Sequence, residues 1–68
     1  MNVKQLVLLL LQDYKDMGVT KIEERVLVEE VIKRTGCHRQ TVYNVIHWLK
    51  VRGVIRVEGS GRNKFILL

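Results

Sequence analysis

The residues best suited to chemistry in this sequence lie together in one amphipathic segment. Its apolar residues recur at i, i+3, i+4 and i+7, which predicts a helix from His38 to Arg52 with one stripe facing a core. These apolar residues are Val42, Val45, Ile46 and Leu49. The opposite face carries Arg39, Gln40, Tyr43, Asn44 and His47. Because Arg pairs with guanine, and Gln and Asn pair with adenine, in the major groove of DNA, this face is suited to reading base edges. The alternative is an ordinary solvated helix face.

Metal-binding and nucleophilic side chains are few. Cys37, His38 and His47 are the only candidates, and a structural zinc site normally needs four ligands at closer spacing. We interpret Cys37 as a small buried hydrophobe. The acidic pairs, Glu23 with Glu24 and Glu29 with Glu30, are neighbours in sequence, so on a helix their side chains point apart. We therefore expect no metal, no cofactor, no small-molecule ligand and no enzymatic activity.

The positive charge of the chain is concentrated in its second half. Residues 33–68 contain eight Lys or Arg and one acid, Glu58, which gives this half a charge of +7. Residues 1–32 contain four bases and six acids, which gives −2, and the whole chain carries +5. Solubility alone accounts for a net positive charge but not for this asymmetry. The concentration of bases instead favours a partner that carries phosphates.

The C-terminal segment predicts a β-hairpin. Gly53 is the glycine expected just after a helix. Two short runs rich in β-branched and aromatic residues follow, Val54–Glu58 and Arg62–Leu67, and these predict two strands. The segment between them, Gly59–Gly61, supplies the positive φ angles that a tight connection needs.

The string TVYNVIHWLKVRGVI, together with this hairpin, resembles the winged helix-turn-helix family of bacterial, archaeal and viral regulators. The similar features are a Thr-Val pair early in the helix, a Leu near its end, and Gly-Val-Ile leading into the hairpin. The resemblance runs over about residues 20–68 and implies a mainly α fold, with a three-helix core and the hairpin as its wing. It implies binding to double-stranded DNA, with the helix in the major groove and the wing, Gly59 to Lys64, on the backbone or minor groove. The length of the chain fits a single domain over residues 1–68.

The expected DNA contacts combine the polar face of the helix with the hairpin. They are His38, Arg39, Gln40, Thr41, Tyr43, Asn44, His47, Lys50, Arg56, Ser60, Arg62, Asn63 and Lys64. His38 departs from the Ser or Thr that caps this helix in many such domains, which weakens the cap and adds a phosphate contact. For Tyr43 we expect a contact to a thymine methyl group or to a phosphate. For Trp48, on the flank of the helix, we expect burial at the core edge.

The N-terminal segment predicts a first helix with an apolar stripe. The stripe consists of Val3, Leu6, Val7, Leu10, Tyr14 and Met17. Leu8, Leu9 and Leu11 are then surplus; they widen the core face or form a subunit interface, and we expect a homodimer. The apolar run Leu6–Leu11 is too short to span a membrane and lacks a small-residue cleavage site, so we expect a cytoplasmic protein.

Two alternatives remain open between the first helix and the turn at Gly36. Thr20 and Glu23 fit a capping box, which predicts a second helix from Thr20 to Thr35. The consecutive apolar residues at 26–28 instead suit a short strand pairing with the hairpin, with the helix starting near Val28. The long helix is our leading prediction, and in both cases Val31 and Ile32 face the core.

Two classes of function fit these features. The first is sequence-specific DNA binding, with a role as a transcriptional regulator. The second is a winged helix that binds another protein or serves the replication or transcription machinery. A protein-binding version should carry apolar or acidic residues on the exposed helix face, whereas this one carries Arg, Gln, Tyr, Asn and His. That chemistry favours DNA.

Overall fold

The computed structural model describes residues 2–68, which contain three helices and three short strands. In chain order they are α1 (Val3–Asp16), β1 (Lys21–Glu23), α2 (Glu24–Thr35), α3 (Arg39–Val51), β2 (Arg56–Ser60) and β3 (Asn63–Leu67). The fold is thus mainly α with a small antiparallel sheet, as predicted. None of the helices has both the length and the apolar character needed to cross a bilayer, over the range described.

Helix α1 begins at a reciprocal cap. The Asn2 side chain accepts a hydrogen bond from the Gln5 backbone at 2.8 Å, and the Gln5 side chain accepts one from the Asn2 backbone at 3.3 Å. Its core face is wider than the predicted stripe, because Leu11 is buried together with the expected residues Leu6, Val7 and Leu10. For Leu11 the structure therefore confirms the first of the two alternatives, a wider core face.

The segment before α2 is a strand, so the predicted helix from Thr20 is wrong. Residues Lys21–Glu23 pair with β3, with Ile22 opposite Ile66, and the helix begins only at Glu24. Backbone hydrogen bonding to the sheet therefore prevails over the local Thr20–Glu23 capping signal. The alternative, a short strand that pairs with the hairpin, is confirmed by β1, but its predicted position at residues 26–28 is wrong because these residues lie inside α2.

The turn between α2 and α3 forms at Gly36, as the sequence predicts. Gly36 adopts a left-handed conformation, with φ 71°, and its N–H donates to the Ile32 carbonyl at 2.7 Å. Helix α3 lies within the predicted bounds, and His38 occupies the N-cap position without a side-chain capping bond. Cys37 is half-buried against the core rather than enclosed, and its N–H donates to the Thr35 hydroxyl at 3.2 Å.

The hairpin forms as predicted but is shifted along the chain. The N–H of Val54 still donates to the Leu49 carbonyl at 2.9 Å, which ties this residue to the end of α3 and delays the first strand to Arg56. The strand then continues through Ser60, which pairs with Asn63. The loop therefore contains two residues, Gly61 and Arg62, rather than the predicted Gly59–Gly61.

The core joins all three helices to the sheet. Helix α1 packs against α2 and α3, and α2 also packs against β1 and β3. The side chains with the least exposure are Val7, Leu27, Val28, Val31, Val42, Leu49 and Ile66. Because Val42 and Leu49 belong to one stripe of α3, their burial fixes the opposite, polar face of that helix toward solvent.

Candidate nucleic-acid interface

Helix α3 presents the polar face that the sequence predicted. Val42, Ile46 and Leu49 are buried, and Val45 is half-buried against them. The exposed predicted contact residues are His38, Arg39, Gln40, Thr41, Asn44, His47 and Lys50, and Tyr43 is half-buried. The side chains suited to base edges thus lie on a rigid element whose other face is held by the core.

A groove of about 280 Å³ runs between α3 and the hairpin. The predicted contact residues among its lining are Gln40, Tyr43, Asn44, His47, Lys50 and Lys64; the others are Glu24, Ile46 and Val57. Five residues from one helix face and one from β3 therefore converge on the same concave surface. The sequence predicted these residues, but not the groove.

Two of the amide side chains are bonded to each other. Gln40 Nε2 donates to Asn44 Oδ1 at 2.8 Å, one turn apart on α3. This bond holds both amides on the exposed face. It leaves the Gln40 oxygen as an acceptor and the Asn44 nitrogen as a donor for other partners.

Arg39 is held by an acid from the neighbouring helix. Its Nη2 atom forms an ion pair with Glu29 Oε1, and both side chains are about half exposed, at 52% and 54%. The hydrogen bond to Glu29 and the charge of its carboxylate raise the pKa of Arg39, with a smaller contribution from Tyr43. The guanidinium is therefore oriented by an acid on α2, a partner that the sequence pattern does not identify.

The residues around the hairpin turn lie near the start of α2. Arg62 and Lys64 line a second recess, of about 180 Å³, together with Tyr43 and Glu24. Ser60 and Asn63 flank the turn as an exposed pair. Because Glu24 lines both recesses, the hairpin side of α3 is not uniformly cationic.

Arg56 is separated from the other hairpin residues. It lies opposite Leu67, at the end of β2 away from the turn, and lines neither recess beside the hairpin. The structure therefore does not bring Arg56 together with Arg62 and Lys64, although all three were predicted to contact DNA from the hairpin.

Trp48 is not buried at the core edge, so that prediction is wrong. Its side chain is 41% exposed. Lys4 Nζ lies 4.8 Å from the centre of its ring and Arg52 Cζ lies 4.2 Å from it, both within the range of a cation–π contact. Arg52 follows Trp48 by four residues, but Lys4 comes from the distant N-terminal turn of α1, so no local sequence pattern predicts its contact with the ring.

The three leucines predicted as a subunit interface do not form one surface. Leu11 is buried and Leu8 is half-buried, and both line a groove together with Val54 and Leu68. Leu9 is 46% exposed and does not line that groove. The structure therefore brings Leu8 and Leu11 together and leaves Leu9 apart, and a subunit interface at these residues stays a prediction.

Over residues 2–68, no three His, Cys, Asp or Glu side chains are grouped so as to hold a metal ion.

Most cations beside α3 have no acidic partner. Within residues 2–68, only Arg25, Arg34 and Arg39 form ion pairs. Unpaired cations keep their attraction for an external anion.

Comparison with protein-family models, curated proteins and solved structures finds no match to this chain.

Proposed function

We propose that this protein is a winged helix-turn-helix DNA-binding protein that reads a specific duplex sequence and regulates transcription in the cytoplasm. The observation that carries the proposal is the groove between α3 and the hairpin. It joins Gln40, Asn44 and His47, whose side chains can hydrogen bond base edges, to the cationic Lys64.

In the proposed complex, α3 lies in the major groove, whose width of about 12 Å accommodates one helix. Gln40 and Asn44 face base edges, and their mutual hydrogen bond reduces the side-chain entropy lost on binding. Arg39 at the start of the helix is available to a guanine, with Glu29 orienting its guanidinium. The helix therefore supplies the sequence-dependent part of the affinity.

The hairpin supplies anchoring. Arg62 lies in the two-residue turn and Lys64 follows it on β3, so both project beside α3 toward the backbone or minor groove of the adjacent DNA. Contacts of this kind carry little sequence information and depend strongly on salt.

The experiment that tests the proposal is selection from a pool of random duplexes, followed by sequencing of the bound fraction. DNA reading predicts enrichment of one motif. If no duplex is enriched or retained, a protein-binding role replaces this proposal.

Glu29 should act on specificity through Arg39. Replacing Glu29 with Gln frees the guanidinium to reach any nearby phosphate, so we expect binding to scrambled DNA to strengthen more than binding to the selected duplex. The ratio of the two affinities should fall about threefold, which corresponds to the free energy of an exposed ion pair.

Glu30→Gln is the matched control. Glu30 also lies on α2 and its replacement removes the same charge, but its partner is Arg34 on the same helix, at 3.0 Å. This variant should strengthen binding to both duplexes equally. Equal effects of the two variants on the affinity ratio would show that Glu29 contributes only its charge.

We also propose that the protein acts as a homodimer. Support comes from the small core of a 68-residue chain and from exposed apolar side chains such as Leu9, Val51 and Val54. Light scattering at micromolar concentration should give the mass of two chains, and the DNA motif should be an inverted repeat. A monomer at high concentration excludes the dimer.

A further inference from the structure

We propose that Lys4, Trp48 and Arg52 form a phosphate-binding cluster that holds the DNA strand on the side of α3 away from the hairpin. The inference rests on the proposed function and adds a second anchoring point to it. Its ligand is the phosphate backbone, which the cations of the cluster match in charge.

The cluster fixes two cations beside one exposed ring. The Lys4 ammonium and the Arg52 guanidinium lie 4.8 and 4.2 Å from the centre of the Trp48 ring. Across residues 2–68, neither cation forms an ion pair with an acid. The ring therefore holds two cations that have no acidic partner, and their positive charge attracts a phosphate.

The cluster adjoins the face of α3 that we assign to base reading. A groove of about 290 Å³ is lined by Lys4, Thr41, Asn44, Val45 and Trp48. Asn44 also lines the groove on the hairpin side. The polar face of α3 therefore has a recess on each of its flanks, one reaching Lys64 and the other reaching Lys4.

This arrangement matches the shape of the duplex. The major groove is bordered by the phosphates of both strands, so a helix lying in it has one backbone on each side. In the proposed complex the hairpin cations contact the phosphates of one backbone, and Lys4 and Arg52 contact those of the other. Trp48 is 41% exposed, so its ring is accessible to a DNA strand on this flank.

Trp48 is the only tryptophan in the chain, so its fluorescence reports on this cluster directly. Bound DNA should shield the ring, and the acrylamide quenching constant should fall roughly twofold on saturation with the selected duplex, since a specific interface excludes solvent. An unchanged quenching constant at saturation, with binding verified by the anisotropy of a labelled duplex, would overturn the inference.

Salt dependence gives the second test. Lys4→Ala should reduce the slope of log affinity against log salt by about 0.9, the effect of removing one phosphate contact, on selected and scrambled duplexes alike. The matched control is Lys15→Ala, at the opposite end of the same helix, which should leave the slope unchanged. Lys4 is exposed, so its variant should keep the fold.

The two hypotheses fail differently. If Lys4→Ala and Lys15→Ala have the same slope as the wild type while the wild type binds DNA, the phosphate cluster is wrong and DNA binding stands. If the wild type binds no duplex, the proposed function fails and the cluster fails with it.

Discussion

Replacing Gln40 or Asn44 with Ala is expected to weaken binding to the selected duplex by about 1–3 kcal/mol for each variant, with little change on a scrambled duplex. The two side chains share a hydrogen bond, so removing one also releases the other. The double variant should therefore lose less than the sum of the two single losses. Fluorescence anisotropy with both duplexes measures the affinities of the wild type and the three variants.

Hairpin variants are the controls for this prediction. Arg62→Ala and Lys64→Ala should weaken binding to both duplexes by a similar factor, and each phosphate that is no longer neutralised should reduce the salt slope by about 0.9. If the Gln40 and Asn44 variants instead lose affinity equally on both duplexes, α3 does not read sequence.

Gly59→Ala should disrupt the hairpin. Gly59 has φ 98°, and a β-carbon there would overlap the backbone carbonyl oxygen of Asn63 on the paired strand. Relieving that overlap requires the two strands to separate near the turn. We expect the strained backbone alone to lower the free energy of unfolding by about 1–3 kcal/mol, and the overlap with Asn63 to add to that loss. Urea denaturation measures the total.

Gly61→Ala is the matched control in the same hairpin. Gly61 has φ 58°, and a β-carbon there meets no atom within 4 Å. Its cost is the left-handed conformation alone, about 1–2 kcal/mol. Equal losses in the two variants would mean that the close approach of Gly59 to Asn63 does not constrain the hairpin.

The sequence predicted α3 well because its signals are local. The apolar spacing defines the buried stripe from Val42 to Leu49, and the positive-φ glycines Gly36 and Gly53 stand at its two ends. Each of these signals acts within a few residues. The polar face follows from the same periodicity, which is why most of the predicted contact residues are exposed on one side of this helix.

Predictions that depended on distant partners were less accurate. Residues Lys21–Glu23 form a strand because β3, about 40 residues later, offers its edge. Leu11 is buried and lines a groove with Ile55 and Leu67, and Trp48 is exposed with Lys4 reaching its ring. None of these pairings has a sequence pattern of its own, because the packing of whole elements creates them.

The ion pair between Arg39 and Glu29 shows, within the candidate interface, the difference between what local sequence predicts and what a distant partner determines. The residue type and the helix position of Arg39 are enough to make it a candidate for base reading. Its orientation depends on an acid on α2. Sequence alone therefore identifies the residue but not the restraint on it.

The affinity of the wild-type protein for a selected duplex and for a scrambled duplex of the same composition, at two salt concentrations, tests sequence-specific DNA binding most directly. Base reading by α3 predicts a preference of about 1,000-fold or more for the selected duplex, and affinities for both duplexes that fall as salt rises. Equal affinity for the two duplexes, or binding to neither, would contradict it.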